Sequence, residues 1–297
     1  MLSILIPTYN YQVSELITAL HKALEAITFN YEILCLEDGS QIYVEENKAT
    51  CDSYDHVIHM VSEQNKGRIA SRKHLAQNAK YNWLLFLDAD VAIENPNFIK
   101  VYSDYFNEQF EVVYGGCSYA KEQPNASQLL RWTYGRAKED VKAHTRNKTP
   151  YKSIVSANFL IKKDSFQHII SKIKDEGYGY DVFVGALMKK DETKVYHIDN
   201  AVVHVGLDEN SVYLSKVENA VETNYKLVQE HKINSTDNSL LETFKRIKRL
   251  GLVRMVYGIF NLFRGSMRKQ LLGNRPNITL LQFYKLGYLC ALSLNKT

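Results

Sequence analysis

Apolar and polar residues alternate in blocks along the first ninety positions of the chain. Short runs of leucine and β-branched residues predict buried parallel strands, and apolar positions three or four residues apart predict helices between them. The predicted strands are residues 2–7, 31–36, 56–61 and 82–87, and residues 13–24 and 67–80 are predicted helices. Strands that alternate with helices predict an α/β fold with a doubly wound sheet, whose ligands bind at the carboxyl ends of the strands.

The second half of the chain has a more mixed pattern. Predicted strands cover residues 111–119, 154–162 and 194–205, and predicted helices cover residues 128–143, 181–189 and 212–228. Residues 234–238 are polar and typical of turns, so we place a domain boundary there. The sequence therefore predicts a first domain over residues 1–232 and a basic, amphipathic, helical C-terminal region over residues 233–297.

Composition narrows the class of protein. With 45% hydrophobic and 24% charged residues among 297, the chain has the make-up of an ordinary globular protein. The four cysteines lie far apart, which excludes a zinc ribbon or a disulfide framework and favours the reducing cytoplasm. We expect neither a secretory signal peptide nor a transmembrane helix, because no apolar run has the required length and flanks.

Charge is distributed unevenly along the chain. Residues 241–297 hold eleven Lys and Arg against one acidic residue, whereas the other 240 residues carry a net charge of −6. Residues 250–272 are apolar at most positions, and Arg254, Asn261, Arg264 and Arg268 recur there as one narrow polar stripe on a helix. A basic and apolar helix of this kind predicts contact with an anionic membrane, and hence a peripheral location on the inner face of the cell membrane.

Two alternatives remain open for this C-terminal region: a helical hairpin packed on the rest of the chain, and a homodimer contact. Binding to nucleic acid is not expected, because the residues between the basic positions are mostly aliphatic and offer few aromatic rings for base stacking.

Polar side chains follow several predicted strands. Asp88 and Asp90 come directly after residues 82–87 and can project into one crevice, where carboxylate oxygens suit Mg²⁺ or Mn²⁺. The alternative for this D-x-D motif is a solvated turn. Tyr9 and Asp38 follow two other strands, and an aromatic ring beside a carboxylate that accepts an imide N–H would hold a uracil-like base. Tyr9 could equally mark a helix entry capped by Asn10.

A basic helix start follows the third predicted strand. Gly67, Arg68 and Arg72 open the helix predicted over residues 67–80. Helix N-terminal amides and basic side chains suit a diphosphate, while a solvated basic helix face is the alternative.

Taken together, these motifs resemble the family-2 glycosyltransferases in their order and spacing. The matching segments are residues 3–10, 37–40, 65–72, 85–90, 156–163, 177–181 and 195–204. The resemblance implies a GT-A fold, in which a Rossmann-like nucleotide-binding sheet has a mixed acceptor-side half, here with a C-terminal helical extension. It also implies a nucleotide-sugar donor and a divalent metal ion, Mn²⁺ or Mg²⁺.

The resemblance assigns roles to individual residues. The donor side would comprise Pro7, Tyr9 and Asp38 at the base, Gly67, Arg68 and Arg72 near the diphosphate, Asp88 at the ribose or donor sugar, and Asn158. Asp90 and His204 would bind the metal, and Asp181 would act as the general base. Trp132 and Tyr180 would contact the acceptor.

Each of these roles has an alternative from the residues alone. Asp181 could cap the helix that follows it, His197 competes with His204, and Trp132 could pack in the core. The family commonly has an acid immediately before the base, where this chain has Tyr180.

The implied function is metal-dependent, inverting transfer of a sugar from a nucleoside-diphosphate sugar, with UDP favoured, to a hydroxyl of a glycan or lipid-linked glycan. Such an enzyme, a hexosyl- or N-acetylhexosaminyltransferase, would serve surface polysaccharide or glycolipid synthesis. The alternatives are a catalytically silent sugar-nucleotide-binding or scaffold protein and a nucleotidyltransferase, for which the expected Gly-rich phosphate loop near the N-terminus is absent.

Overall fold

The computed structural model describes residues 1–174 and 177–294 and has a mixed α/β architecture. The strands are β1 (Leu2–Thr8), β2 (Tyr31–Asp38), β3 (Val57–Ser62), β4 (Trp83–Leu87), β5 (Val91–Ala92), β6 (Val112–Tyr114), β7 (Cys117–Ser118), β8 (Asn158–Lys162), β9 (Val195–His197) and β10 (Val202–His204). The helices are α1 (Ser14–Leu24), α2 (Val44–Asp52), α3 (Arg68–Asn78), α4 (Phe98–Ser103), α5 (Leu129–Lys138), α6 (Ala143–Arg146), α7 (Lys163–Ser171), α8 (Asp181–Lys190), α9 (Asn210–Gln229), α10 (Ser239–Arg249), α11 (Val253–Leu271) and α12 (Ile278–Leu294). The four strands predicted in the first ninety residues are thus present as β1 to β4.

Seven strands form the large sheet in the order β3-β2-β1-β4-β8-β6-β9. The first four strands in this order are mutually parallel, whereas β8 runs antiparallel to both β4 and β6. Because β2 and β4 lie on opposite sides of β1, the strand order reverses at β1, which is where ligands bind in open α/β sheets. This topology brings the residues that follow β1, β2 and β4 to one edge of the sheet.

Two segments predicted as single strands are each divided between two sheets. Residues 111–119 form β6 and β7, and residues 194–205 form β9 and β10; in each case the second strand joins a small sheet of order β5-β10-β7. The break in the first segment falls at Gly115 and Gly116, and Gly116 has a φ of 99°, which a side chain would disfavour. The division places β10 beside β5, and β5 is the strand that directly follows the D-x-D motif in the sequence.

The chain divides into two compact units, each of which makes most of its residue contacts internally. The first unit comprises Met1–Ser118, Val141–Glu176 and Lys190–Gly206, and the second comprises Tyr119–Asp140, Gly177–Lys189 and Leu207–Thr297. The domain boundary predicted at residue 232 lies inside the second unit, so α10 to α12 share a unit with α5 and α9.

Each unit has its own hydrophobic core. In the first unit, the core combines Leu2, Ile4 and Ile6 of β1 with Leu16, Ile17 and Leu20 of α1, among others. In the second unit, side chains of α5, α9, α11 and α12 form one cluster, which includes Leu130, Leu214, Phe260 and Tyr284. The first core explains the sequence pattern, because parallel strands covered on both faces are apolar at nearly every position.

A buried arginine fills the gap where the first unit's strands pass from one sheet to the other. Arg146 donates hydrogen bonds to the carbonyls of Tyr114 (3.3 Å), Gly115 (3.2 Å) and Ile198 (2.7 Å). It also donates to Nδ1 of His197 (2.9 Å), whose Nε2 in turn donates to the carbonyl of Pro150 (3.0 Å). Burial lowers the pKa of His197 to about 4, and the adjacent Arg146 adds to this effect.

This neutral histidine predicts a pH-dependent stability. The unfolded chain binds a proton at His197 near its ordinary pKa of 6.5, whereas the folded protein binds it only near pH 4. Stability that is present above pH 6.5 is therefore lost as the pH falls towards 4, by about 3 kcal/mol from this group. Urea unfolding of the wild type and of His197→Gln at pH 7, 5.5 and 4 gives the free energy of unfolding of each protein. The difference between the two slopes of this free energy against pH measures the contribution of His197. An exposed-site control, His74→Gln, should keep the wild-type slope, and an equal slope in His197→Gln would contradict the prediction.

Candidate functional site

Asp88 lies at the end of β4, and two arginines of α3 bind its carboxylate. Arg72 Nη2 donates to Asp88 Oδ1 (2.5 Å) and Arg68 Nη2 donates to Oδ2 (2.6 Å). Arg72 also donates to the carbonyl of Ser156 (3.0 Å), just before β8. The Asp88 side chain is 13% exposed and that of Arg72 10%, whereas Arg68 is 56% exposed. Three segments are therefore tied together at this strand end.

The two carboxylates of the D-x-D motif have opposite pKa shifts. Burial opposes ionisation of Asp88, but Arg68 and Arg72 more than compensate and hold the pKa of its carboxyl below the ordinary value. Burial raises the pKa of the Asp90 carboxyl; attraction to His204 opposes this rise, and repulsion from Asp88 adds to it. Asp90 thus carries a negative charge that the arginines do not fully balance, and a cation would stabilise it.

Asp90 faces His204 across the small sheet. The antiparallel pairing of β10 with β5 sets His204 opposite Val91, and the Asp90 carbonyl accepts hydrogen bonds from the N–H groups of Val205 (3.0 Å) and Gly206 (3.2 Å). His204 Nε2 lies 3.6 Å from Asp90 Oδ2, which is too long for a hydrogen bond. A Cβ on Gly206 would lie 2.7 Å from the same Oδ2, so the glycine leaves the space that this carboxylate oxygen occupies.

These residues fit a divalent cation that completes its coordination from elsewhere. Within residues 1–174 and 177–294, no group of three or more His, Cys, Asp and Glu side chains is arranged to hold a metal ion. At this place in the described structure, Asp90 and His204 offer one carboxylate and one imidazole. Mg²⁺ and Mn²⁺ accept such incomplete sets, because they retain water and share phosphate oxygens of a substrate.

The predicted base-binding residues lie at the ends of β1 and β2. Pro7 pairs with Leu36 in the sheet, and Tyr9 beyond it is 55% exposed. Asp38 Oδ1 accepts the N–H of Lys66 and Oδ2 accepts the N–H of Gly67, both at 2.9 Å. Asp38 therefore uses one lone pair of each oxygen to hold the start of α3. The N–H groups of Lys66 and Gly67, which lie where the sequence predicted diphosphate binding, donate to Asp38 instead.

The loops after β1 and β2 are linked through Asn10. Its backbone N–H donates to Ser40 Oγ (2.9 Å), and its Oδ1 accepts the N–H of Gln41 (2.8 Å). The alternative prediction that Asn10 caps α1 is wrong, because α1 begins at Ser14 and Val13 occupies the cap position. The side chain joins two strand ends instead, which fixes the loop that carries Tyr9.

Asn158 is a buried residue whose side chain binds the backbone of neighbouring loops. It has no exposed surface; its Oδ1 accepts from Tyr102 Oη (2.6 Å), and its Nδ2 donates to the carbonyls of Gly116 (3.0 Å) and Asn200 (2.9 Å). The amide is thus enclosed by protein groups and holds the backbone of Gly116 and Asn200 in place, while its predicted contact with the donor stays a prediction. His197 is likewise enclosed by Arg146 and Pro150, which leaves His204 as the histidine beside the carboxylates.

The remaining predicted residues belong to the second unit. Asp181 is the first residue of α8, with an exposed side chain, so it begins the helix rather than capping it. Tyr180 is 8% exposed, and its ring lies near that of Phe183. Trp132 is 9% exposed, its Nε1 donates to the carbonyl of Ala120 (2.8 Å), and Arg136 covers its ring. The core interpretation of Trp132 is therefore favoured over acceptor stacking.

Sequence reasoning missed the importance of Gly206. The residue stood only in a loop after an apolar run, and nothing local distinguishes it from other loop glycines. Its role appears when β10 pairs with β5, because the pairing brings the backbone of residue 206 against Asp90.

Comparison with known families decides the classification of the chain. The sequence model of "Glycosyl transferase family 2" matches residues 3–170, which is more than half of the chain. The chain belongs to glycosyl transferase family 2. An uncharacterized glycosyltransferase of Haemophilus influenzae is 30% identical over 131 residues, which cover 38% of this chain and 43% of that relative. The match thus spans less than half the length of this curated relative.

Similar solved structures confirm the fold. Glucosyl-3-phosphoglycerate synthase from Mycobacterium tuberculosis, solved with Mn²⁺, UDP and glucosyl-3-phosphoglycerate, matches 74% of this chain and 77% of its own, with a TM-score of 0.51 and 12% identity. A mannosyltransferase from Pyrobaculum calidifontis, in complex with GDP-mannose and Mn²⁺, matches 99% and 86%, with a TM-score of 0.54 and 10% identity. The predicted GT-A architecture with a helical C-terminal region is therefore confirmed.

The unequal burial of the two arginines predicts unequal effects on stability. Arg72→Ala removes the buried partner of a mostly buried carboxylate and should lower the free energy of unfolding by about 3 kcal/mol. Arg68→Ala removes a half-exposed partner and should cost less than about 1 kcal/mol. Urea denaturation at neutral pH measures both. Equal losses in the two variants would contradict the larger contribution assigned to Arg72.

Proposed function

We propose that the protein is a metal-dependent inverting glycosyltransferase that uses a nucleoside-diphosphate sugar. The observation that carries this proposal is the cluster at the ends of β4 and β10, where Asp88 is balanced by arginines while Asp90 faces His204 beside a glycine. The chain's family membership and the nucleotide and Mn²⁺ bound by the two similar structures support it.

The donor would bind along the edge formed by β1, β2 and β4. Tyr9 would stack on the base, and Asp38, held by two backbone amides, keeps lone pairs that could accept the imide N–H of uracil. We propose UDP as the nucleotide on this basis. Pro7 and Gly67 shape this edge, Asp88 would contact the ribose or donor sugar, and the exposed part of Arg68 would reach the diphosphate.

Asp90 and His204 would hold Mn²⁺ or Mg²⁺. The bound ion would supply charge neutralisation for the departing nucleoside diphosphate. The residues of the chain do the remaining work at this place: Gly206 leaves room for the Asp90 carboxylate, and Arg72 keeps the neighbouring Asp88 ionised by balancing its charge.

Asp181 would be the general base that removes the proton from the attacking acceptor hydroxyl. Its side chain is an exposed carboxyl group at the start of α8, which is a group able to serve as a general base. Attack from the side opposite the leaving group inverts the anomeric centre.

We further propose that the acceptor is a glycan or lipid-linked glycan of surface polysaccharide or glycolipid synthesis, that the sugar is a hexose or N-acetylhexosamine, and that the protein lies on the inner face of the membrane. The basic charge of residues 241–297 supports this location. The activity is tested by incubation with a panel of nucleotide sugars, Mn²⁺ and glycan or lipid-linked glycan acceptors. Released nucleoside diphosphate is the readout. Donor binding without any release would favour the silent-binder alternative, in line with Tyr180 in place of an acid.

The metal ligands can be tested through stability. UDP should raise the melting temperature more when Mn²⁺ is present, since a ligand at one hundred times its Kd contributes about 2.7 kcal/mol to stability. Asp90→Ala should retain the metal-independent part of the UDP shift and lose the metal-dependent part. An unchanged shift with Mn²⁺ would remove Asp90 from the metal site.

A matched pair of glycine variants tests the geometry. Gly206→Ala should also weaken the metal-dependent shift, because its Cβ would displace Asp90 Oδ2. Gly258→Ala, where no atom lies within 4 Å of the added Cβ, should preserve the shift.

The assignment of the base predicts a loss of turnover with preserved binding. Asp181→Asn should bind UDP as the wild type does and lower transfer by roughly 10²–10⁴-fold, which is typical for a missing acid–base group. Asp164→Asn is the matched control, since Asp164 is an exposed acidic residue in the first turn of α7. Near-normal transfer by Asp181→Asn would move the assignment to another carboxylate, such as Asp208 or Glu209.

A further inference from the structure

Helix α11 exposes one apolar face. Met255 is 55% exposed, Ile259 41%, Leu262 76% and Phe263 50%. Their spacing of four, three and one residues puts them on one side of the helix, over an arc of about 100°. At Gly258 and Gly265 of the same helix, no atom lies within 4 Å of the position of an added Cβ. Nothing in the second unit covers this face within the described residues.

The adjoining face of α11, here called the inner face, is already packed. Val256, Phe260, Met267 and Leu271 are buried, and the last three share a core cluster with residues of α9 and α12. The alternative of a packed helical hairpin therefore accounts for the contacts of this inner face. Packing within the unit leaves the outer apolar face without a partner, so the inner core does not explain it.

The polar stripe predicted on this helix is used inside the unit. Arg268 Nη1 donates to Glu218 Oε1 of α9 (3.0 Å) and to Tyr284 Oη of α12 (3.2 Å). Arg264 lies 3.9 Å from the same Glu218 oxygen. Two of the stripe's charges thus fasten α11 to its neighbours instead of solvating the helix, and this leaves the apolar side facing outward.

Exposed basic side chains accompany the outer apolar face on α11 itself and on the helix that precedes it. Lys245, Lys248 and Arg249 of α10, with Arg254 and Lys269 of α11, are exposed, as is the apolar Leu250 between the helices. Lysine and arginine at the rim of an apolar helix face are attracted to anionic headgroups while the apolar side chains enter the acyl boundary. Within the described residues, no helix has the length and apolarity needed to cross a bilayer. Contact in the plane of the interface matches these features.

We infer that the outer face of α11, defined by Met255, Ile259, Leu262 and Phe263, is the surface that binds an anionic lipid bilayer. This inference rests on the proposed membrane location and assigns it to four side chains. A second copy of the chain fits less well, because a symmetric contact through this face would bring two sets of basic side chains together.

Co-sedimentation of the full chain with vesicles tests the inference. The wild type should bind phosphatidylglycerol-containing vesicles at low salt, release partly at high salt, and bind pure phosphatidylcholine weakly. The variant Leu262→Ser/Phe263→Ser should lower the partition coefficient about tenfold or more, because two exposed apolar side chains no longer enter the bilayer. Val212→Ser, which changes an exposed apolar residue of α9, should bind as the wild type does.

The exposed lysines of α10 should affect vesicle binding differently from the apolar side chains of α11. Lys245→Gln/Lys248→Gln should reduce binding at low salt and flatten its salt dependence, whereas Leu262→Ser/Phe263→Ser should keep the salt dependence of its residual binding. Absence of wild-type binding, or equal binding by the wild type and Leu262→Ser/Phe263→Ser, would overturn the inference. Light scattering that shows a wild-type dimer and a monomeric Leu262→Ser/Phe263→Ser would assign the face to self-association instead.

The same samples separate this inference from the proposed function. The stabilisation by UDP and Mn²⁺ should be identical in the wild type and in Leu262→Ser/Phe263→Ser, since these side chains are not part of the donor site. Vesicle binding without UDP stabilisation in any sample would refute the proposed function and leave the lipid surface intact.

Discussion

The ionised carboxylate of Asp88 is the feature on which the first unit's site depends. A carboxylate this deeply placed at a strand end would be costly without a counter-charge, and two arginines of α3 supply it. Arg72 also holds the carbonyl of Ser156, so the charge balance joins β4, α3 and the approach to β8. Because Asp88 is balanced by arginines and Asp90 is not, one motif provides both a fixed anchor and the carboxylate that we propose as a metal ligand.

The division of strands between two sheets gives the site its second half. Gly115 and Gly116 let the chain turn out of the large sheet. Arg146 adds hydrogen bonds to the carbonyls of Tyr114 and Gly115, which also accept the backbone N–H groups of Ile198 and Asn200. Since β10 then pairs with β5, His204 comes to lie beside Asp90 rather than in the large sheet. Asn158 connects these turns from inside, which explains why an amide with no exposed surface stands next to the site.

The second unit combines two uses of one helix. Helix α11 buries one apolar face against α9 and α12, and Glu218 binds the arginines at the edge of that face. The adjoining apolar face is exposed, and exposed basic side chains lie on the same helix and on α10 before it. Stability and surface chemistry are thereby carried by different sides of the same element, so the outer face can change without loss of the core.

The sequence alone determined the parallel half of the sheet, because strands such as β1 and β4 are apolar at almost every position and end in polar residues. It also determined the D-x-D motif and the family, since these are local patterns in a specific order. Tertiary structure decided what depends on pairing between distant segments. His204 was separated from His197 only by the different sheets that hold them, and Gly206 gained its importance only from the approach of Asp90. The direction of each face of α11 was likewise set by Glu218, which lies far away in the sequence and whose contacts no local periodicity encodes.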